Sequence, residues 1–141
     1  GTFPDLSETY LNVPSNEKYK NSIVIMRSLR RQNDQIDYSF LSSYNKIVFL
    51  GLENEYKNLK EKIVNLEHYE SNDFLELASI IKGSKLFIGN LSFGYALAEA
   101  LKVPRLLESG PNFPLVYPNG YKAYDFYFQS HFESLVKKLY D

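Results

Sequence analysis

Two short polar stretches hold the residue types that could bind a phosphate group. "RSLRR" (27–31) and "GNLSFG" (89–94) each follow an apolar run. The first stretch offers guanidinium forks and a hydroxyl, which are donors suited to phosphate oxygens. The second can turn tightly at its glycines and begin a helix, whose first N–H groups and dipole favour an anion. The candidate donors of the first stretch are Arg27, Ser28, Arg30 and Arg31.

In "GNLSFG" the backbone is predicted to do most of the binding. Ser92 is expected to cap the following helix, so that the N–H groups of residues 93–95 point at the ligand. The candidate binding residues of this stretch are Gly89, Asn90, Leu91, Ser92, Phe93 and Gly94. An N-cap serine is also ordinary structure, and loop arginines are often solvated or paired with carboxylates. Both interpretations therefore stay open.

Three more candidates follow or end other apolar runs: Gly51, Glu53 and Glu108. Glu53, just past Gly51, could bind a ribose hydroxyl or could complement the dipole of a helix that begins there. Glu108 is expected to point toward the same rim as the two polar stretches, or else to be a surface residue before a turn. The tyrosine-rich segment 116–128 could form an aromatic wall for a base or sugar, or pack over a sheet edge.

Apolar runs alternate with helical patterns, and this alternation positions both polar stretches. The runs typical of strands are 22–26, 46–51, 64–69, 85–89, 105–108 and 125–128. The segments predicted to be helical are 37–44, 53–63, 71–83, 92–102 and 131–140. The alternation predicts an α/β, Rossmann-like three-layer domain, with a mostly parallel sheet of about six strands in the doubly wound order 3-2-1-4-5-6. Ligands then bind between the carboxyl ends of the first and fourth strands, which carry "RSLRR" and "GNLSFG".

Two of the helical segments carry more detailed signals. The segment 71–83 has Asn72 or Asp73 as its predicted N-cap and Gly83 as its predicted C′ residue. The segment 53–63 is predicted to be amphipathic. Its apolar stripe consists of Leu52, Tyr56, Leu59 and Ile63.

Composition excludes several classes of protein. The 141 residues are 44% hydrophobic and 23% charged, which is typical of one globular domain. The net charge of −1 gives no basic field for nucleic acid, and no run approaches the ~20 apolar residues of an integral membrane segment. Cysteine is absent and the two histidines stand far apart, so neither a metal nor a cofactor is predicted. The lack of cysteine fits the cytoplasm.

The beginning of the chain suggests a piece of a longer protein. Its only methionine is Met26, and it opens with "GTF". Residues 1–21 hold two prolines and show no sustained period. They are predicted to be a linker or lead-in, with Tyr10 and Leu11 held against the domain formed by residues 22–141.

"GNLSFGYALAEALKVP" (89–104) resembles the pattern G-N-D-S-G-x-x-H-x-A-x-A-L-x-V-P of glycosyltransferase family 9, the heptosyltransferases that build bacterial lipopolysaccharide. The alignment has no gap, and the matching residues are Gly89, Asn90, Ser92, Ala98, Ala100, Leu101, Val103 and Pro104. The segments 47–56, 73–90 and 105–120 also resemble the family. Three positions of the pattern differ, because its aspartate is Leu91 here, its second glycine is Phe93 and its histidine is Ala96.

The resemblance implies the C-terminal, donor-binding domain of a B-type glycosyltransferase. Such a domain binds a nucleotide diphosphate sugar and stabilises the leaving diphosphate without a metal. Its partner is an N-terminal acceptor-binding domain, which this chain lacks, so the chain alone is expected to be inactive. The full-length enzyme would be cytoplasmic or peripheral to the membrane.

A second interpretation is a non-catalytic module. A degenerate Rossmann-like domain that has lost the aspartate and histidine of the pattern could serve protein interaction or regulation, because a fold does not define a function. A nicotinamide-dependent dehydrogenase is a distant third, since no G-x-G-x-x-G follows the first strand.

Overall fold

A six-stranded parallel sheet forms the centre of the computed structural model, which describes residues 14–29, 32–70, 73–90, 93–109, 123–126 and 128–140. The strands are β1 (Ile23–Met26), β2 (Ile47–Leu50), β3 (Leu66–Tyr69), β4 (Leu86–Gly89), β5 (Arg105–Glu108) and β6 (Ala123–Phe126). Their order is β3-β2-β1-β4-β5-β6, and every neighbouring pair is parallel. The predicted fold class and strand order are both confirmed.

Helices cover both faces of the sheet. They are α1 (Glu53–Lys60), α2 (Phe74–Gly83), α3 (Phe93–Ala100) and α4 (Gln129–Tyr140), with short 3₁₀ helices at Glu17–Tyr19 and Ser39–Ser43. One face packs against α1, α4 and the second 3₁₀ helix. The other face packs against α2, α3 and the first 3₁₀ helix. Because alternate strand residues face opposite layers, strands buried on both sides read as continuous apolar runs.

Most element boundaries differ from the sequence prediction by one to three residues, and only β5 has both predicted ends among the described elements. The last strand lies at Ala123–Phe126 instead of 125–128, and Phe126 stacks on Phe132 with ring centroids 4.0 Å apart. The following helix starts at Gln129 instead of 131. Residues 37–44 form only a five-residue 3₁₀ turn, from Ser39 to Ser43.

The stripe predicted for α1 is partly wrong at its start. Leu59 and Ile63 are fully buried, whereas Leu52 is 60% exposed. Leu52 occupies the N-cap position, ahead of the helix, and its main-chain N–H donates to the Glu55 carboxylate. Its side chain therefore lies outside the apolar face of the helix.

Gly83 is the last residue of α2 and not the predicted C′ residue. The N-cap prediction holds, since the Asp73 carboxylate accepts from Leu75 N at 2.9 Å. A Cβ at Gly83 would overlap the main chain of Asn16. Glycine is required here for close approach, because the segment before β1 crosses this end of α2 and Asn16 N donates to Ser79 O.

Candidate functional site

The switch point of the sheet lies between β1 and β4. Met26 and Gly89, the last residues of these strands, are register partners. The strand order runs outward on either side of this pair, so the loops after β1 and β4 diverge and leave a crevice between them. The helix α3 begins at Phe93, four positions beyond Gly89. The first residues of the two polar stretches are therefore adjacent in space, as predicted.

Asn90 links the loops after β4 and β1. Its Oδ1 accepts from Ser28 N at 3.0 Å, and its Nδ2 donates to Ser28 O at 2.9 Å. The side chain is fully buried. This reciprocal pair engages both main-chain groups of Ser28, so Asn90 positions the loop that carries the candidate arginines.

Gly89 is needed for close approach and not for a turn. It is the final residue of β4, and a Cβ there would lie 3.0 Å from Met26 O and 2.9 Å from the ring of Phe87. Gly94 was expected to allow a tight turn, but it lies inside α3. The expected turning role of both glycines is therefore wrong. The absence of a side chain at Gly89 instead brings β4 close to the end of β1.

Glu108 is the centre of a buried polar cluster. Its Oε1 accepts from Arg27 Nε at 2.7 Å and from the Tyr38 hydroxyl at 2.6 Å. Its Oε2 accepts from Arg27 Nη2 at 3.0 Å and from the main-chain N–H of Asn33. Glu108 is 0% exposed and Arg27 8%. Glu108 is thus neither a rim group free for a ligand nor a surface residue, and the surface alternative is wrong.

The cluster has a strong electrostatic character. Arg27 stacks on Tyr38, with its guanidinium carbon 4.4 Å from the ring centroid. Burial lowers the pKa of Arg27, but the neighbouring Tyr38 and Glu108 outweigh burial and leave that pKa above its ordinary value. Burial and the charge of Glu108 hold the pKa of Tyr38 well above its ordinary value. Arg27 stays charged and Tyr38 stays a hydrogen-bond donor. One edge of the Arg27 guanidinium group, formed by Nε and Nη2, is therefore bound by Glu108.

Gly51 and Glu53 follow β2 at its carboxyl end, and neither is a hydrogen-bond partner of Glu108. Gly51 has a φ of +144°, which favours glycine. Its carbonyl lies 2.9 Å from His68 Nε2, which therefore carries the proton that is donated. Glu53 is exposed and pairs with Lys57 at 3.4 Å, one turn along α1. The structure thus gives Glu53 the helical role that the sequence offered as its alternative, and leaves its carboxylate accessible.

Several candidates lie outside the described residues. These are Arg30, Arg31, Leu91 and Ser92, together with most of the tyrosine-rich segment. Tyr10 and Leu11 lie outside them as well. Phe93 and Gly94 are the first two residues of α3, so the helix start is where the sequence predicts it.

Two residues of the cluster escaped the sequence prediction, Asn33 and Tyr38. The sequence places Tyr38 in a predicted short helix and gives Asn33 no role. Asn33 Nδ2 also donates to Ser109 O at 2.8 Å, which ties the β1 loop to the end of β5. The sequence does place Glu108 and Arg27 at the carboxyl ends of strands in the same sheet. A carboxylate and a guanidinium at such positions often form an ion pair, and this was the signal from which the cluster could have been predicted.

A polar cavity of about 180 Å³ adjoins the cluster on the α1 side. Arg27, Asn33 and Tyr38 line it from the loop, and Asn58 and Lys62 from α1 and the turn after it. In the described part of the chain, no three His, Cys, Asp or Glu residues form a group that could hold a metal ion. Across the same ranges no helix has the length and apolar character to cross a membrane.

The comparison with known proteins gives matches to solved structures only. No family model and no curated protein matches the chain. The E. coli heptosyltransferase WaaC with ADP-2-deoxy-2-fluoro heptose matches 94% of the chain with a TM-score of 0.62 and 18% identity. The E. coli ADP-heptose lps heptosyltransferase II matches 99% of it with a TM-score of 0.65 and 15% identity.

A third similar structure is the glycosyl transferase family 9 protein from Veillonella parvula, with a TM-score of 0.60 and 15% identity over 83% of the chain. The matches cover 47%, 37% and 52% of the WaaC, Veillonella and heptosyltransferase II chains, in that order. The chain thus spans about half the length of these proteins or less. It has the fold of a glycosyltransferase of the family 9, heptosyltransferase-like type.

Proposed function

We propose that this chain is the nucleotide-sugar-binding domain of a glycosyltransferase. The observation that carries the proposal is the adjacency of Met26 and Gly89 at the switch point, with α3 starting just beyond. In open α/β sheets ligands bind in this crevice, and a helix N-terminus favours a diphosphate. The similarity to two heptosyltransferase structures, one holding an ADP-sugar analogue, supports the same ligand class.

In the proposed reaction the acceptor hydroxyl attacks the anomeric carbon of the donor sugar and gives its proton to a base of the acceptor-binding domain, while the bond to the nucleoside diphosphate breaks. The domain stabilises the negative charge that develops on the leaving diphosphate. The N–H groups at the start of α3 and the guanidinium groups of the β1 loop supply the donors. Because Glu108 already holds one edge of Arg27, the main cationic contacts fall to Arg30 and Arg31.

Exposed apolar residues support a missing acceptor domain. Six large hydrophobic residues of the described ranges are notably exposed, and five of them follow a strand at its carboxyl end. The five are Leu29, Leu52, Phe74, Leu75 and Phe128. Such side chains on one edge are typical of an interface. We propose that residues 1–21 lead from an acceptor-binding domain that faces this edge.

Calorimetric titration tests the proposed nucleotide site. The chain is titrated with ADP, UDP, GDP and CDP, and we expect at least one of them to bind weakly. ADP is the first candidate, because the similar heptosyltransferase structures are described with an ADP sugar or as ADP-heptose enzymes. Arg30→Gln and Arg31→Gln should each weaken that binding about tenfold, which is the loss of one charge-assisted hydrogen bond. Lys57→Gln removes an exposed charge from the side of α1 and should change nothing.

Two observations favour the non-catalytic module as the second candidate. The described arginine of the predicted site is committed to a buried carboxylate, and the aspartate and histidine of the family pattern are replaced by Leu91 and Ala96. A chain that is folded by circular dichroism and binds none of the four nucleotides at millimolar concentration would contradict the nucleotide site. The module would then become the first interpretation. Bacterial lipopolysaccharide biosynthesis, in the cytoplasm or at the membrane surface, is part of the first proposal only.

A further inference from the structure

The loop after β1 is bound to its neighbours at two points. At its start, the Asn90 amide bonds both main-chain groups of Ser28, at 3.0 and 2.9 Å. Further along the loop, the main-chain N–H of Asn33 donates to Glu108 Oε2. Residues 29–32 lie between these two anchors in the sequence, and they include two of the arginines of the proposed nucleotide site.

The second anchor is also tied to the edge of the sheet. Asn33 is 2% exposed, its Nδ2 donates to Ser109 O at 2.8 Å, and its Oδ1 accepts from Gln35 N at 3.0 Å. Ser109 N in turn donates to Phe126 O at 2.9 Å, just beyond the pairing of β5 with β6. The end of the loop is therefore held by the ends of two strands.

Glu108 has no hydrogen-bonding capacity left for a ligand. A carboxylate offers about four lone-pair sites, and Arg27, Asn33 and Tyr38 together donate four hydrogen bonds to it. The side chain is also fully buried. Glu108 can therefore influence a bound ligand only through the residues that it holds. Two of these, Arg27 and Asn33, stand on either side of residues 29–32 in the sequence.

We propose that Glu108 is a positioning residue for nucleotide binding. The inference rests on the proposed function, because it requires the diphosphate to contact the loop after β1. A loop that is free in solution loses conformational freedom when it closes on a ligand, and this loss weakens binding. By holding Arg27 and Asn33 in the ligand-free protein, Glu108 removes part of that loss in advance.

The sign of the affinity change in Glu108→Gln tests this role. By charge alone, removing a carboxylate strengthens the binding of an anion. Positioning predicts the opposite sign. We expect the affinity to fall roughly three- to tenfold, as for a loop that is in its binding conformation for about a third to a tenth of the time. The measurement is calorimetric titration with whichever of ADP, UDP, GDP and CDP binds the wild-type chain most tightly.

A second variant and a control complete the experiment, with each protein kept at a temperature at which circular dichroism shows it folded. Asn33→Ala removes the contact to Ser109 without changing any charge, so it should also weaken binding, and it replaces Glu108→Gln if that variant does not fold. Leu66→Ala is the control for lost stability. Leu66 is a buried residue at the start of β3, at the amino end of the sheet. Its truncation destabilises the core but should leave the affinity unchanged.

The outcomes separate this inference from the proposed function. A wild-type chain that binds none of the four nucleotides overturns both. If the wild type binds one of them, and Glu108→Gln and Asn33→Ala bind it as tightly or more tightly, only the positioning role is wrong. The positioning role is also wrong if Leu66→Ala weakens binding as much as they do, because the loss of affinity would then follow the loss of stability.

Discussion

Replacing Glu108 by glutamine removes the charge that compensates a buried guanidinium. The carboxylate accepts four hydrogen bonds, two on each oxygen. An amide keeps one acceptor oxygen, and its NH₂ group must face two donors. In the less costly orientation the NH₂ group points toward Tyr38, whose hydroxyl can rotate to accept a hydrogen bond from it. The same NH₂ group still faces the Arg27 Nε–H donor. Breaking a buried ion pair from one side costs about 3–5 kcal/mol. The rotation of Tyr38 indicates the lower end, about 3 kcal/mol.

Urea denaturation followed by circular dichroism measures this cost. With a denaturant slope of about 1–3 kcal/mol per molar for a small protein, Glu108→Gln should lower the midpoint by about 1–3 M. The matched control is Glu53→Gln, because Glu53 belongs to an exposed ion pair with Lys57. The control should change the free energy of unfolding by no more than about 0.5 kcal/mol.

A double variant tests the physical reasoning behind this magnitude. Arg27→Met combined with Glu108→Gln removes both charges, and the glutamine amide can still accept from the Asn33 N–H and donate to the Tyr38 hydroxyl. We expect it to be more stable than Glu108→Gln alone. The reasoning is refuted if Glu108→Gln costs no more than the Glu53 control, or if the double variant loses the sum of the two single losses.

Four further perturbations address other parts of the fold. Gly89→Ala should lower the urea midpoint, because its Cβ would lie 3.0 Å from Met26 O. Asn90→Ala removes two hydrogen bonds and should cost about 2 kcal/mol in the same assay; an unchanged midpoint would contradict the loop-positioning role. Ala100→Leu should overpack α3 against the sheet and cost ~1–3 kcal/mol, since Ala100 is 3% exposed; a neutral result would mean that α3 is less tightly packed. The pKa of Tyr38 is raised in the folded state, so its contribution to stability is complete below the unfolded pKa near 10 and is lost as pH rises above that value. Tyr38→Phe should therefore reduce the loss of unfolding free energy between pH 8 and 11, measured by urea denaturation.

The strand order could be predicted because it depends on local patterns. Continuous apolar runs such as 46–51 identify strands buried on both faces, and the helices between them require parallel pairing. The right-handed crossover rule then leaves few arrangements. The adjacency of Met26 and Gly89 followed from that order.

The polar cluster could be predicted only in part, because its partners are distant in sequence. Arg27 and Glu108 are 81 positions apart. Taken alone, an arginine or a glutamate at the end of a strand could be exposed to solvent, bind a ligand or form an ion pair. The prediction of Gly83 as a C′ residue was wrong for a related reason. A glycine at a helix end usually marks a left-handed C′ position, and only the structure shows Asn16 crossing there.

The Glu108 cluster also orders events during folding. Its contacts to Arg27, Asn33 and Tyr38 span 81, 75 and 70 positions. Each contact therefore closes a long loop, and the chain must lose the conformational entropy of that loop before the contact can form. The segment after β1 cannot make these contacts until Glu108, at the end of β5, lies beside it. During synthesis it leaves the ribosome long before its carboxylate partner. Arg27, Asn33 and Tyr38 are therefore made early, and we expect their contacts to Glu108 to form late in folding.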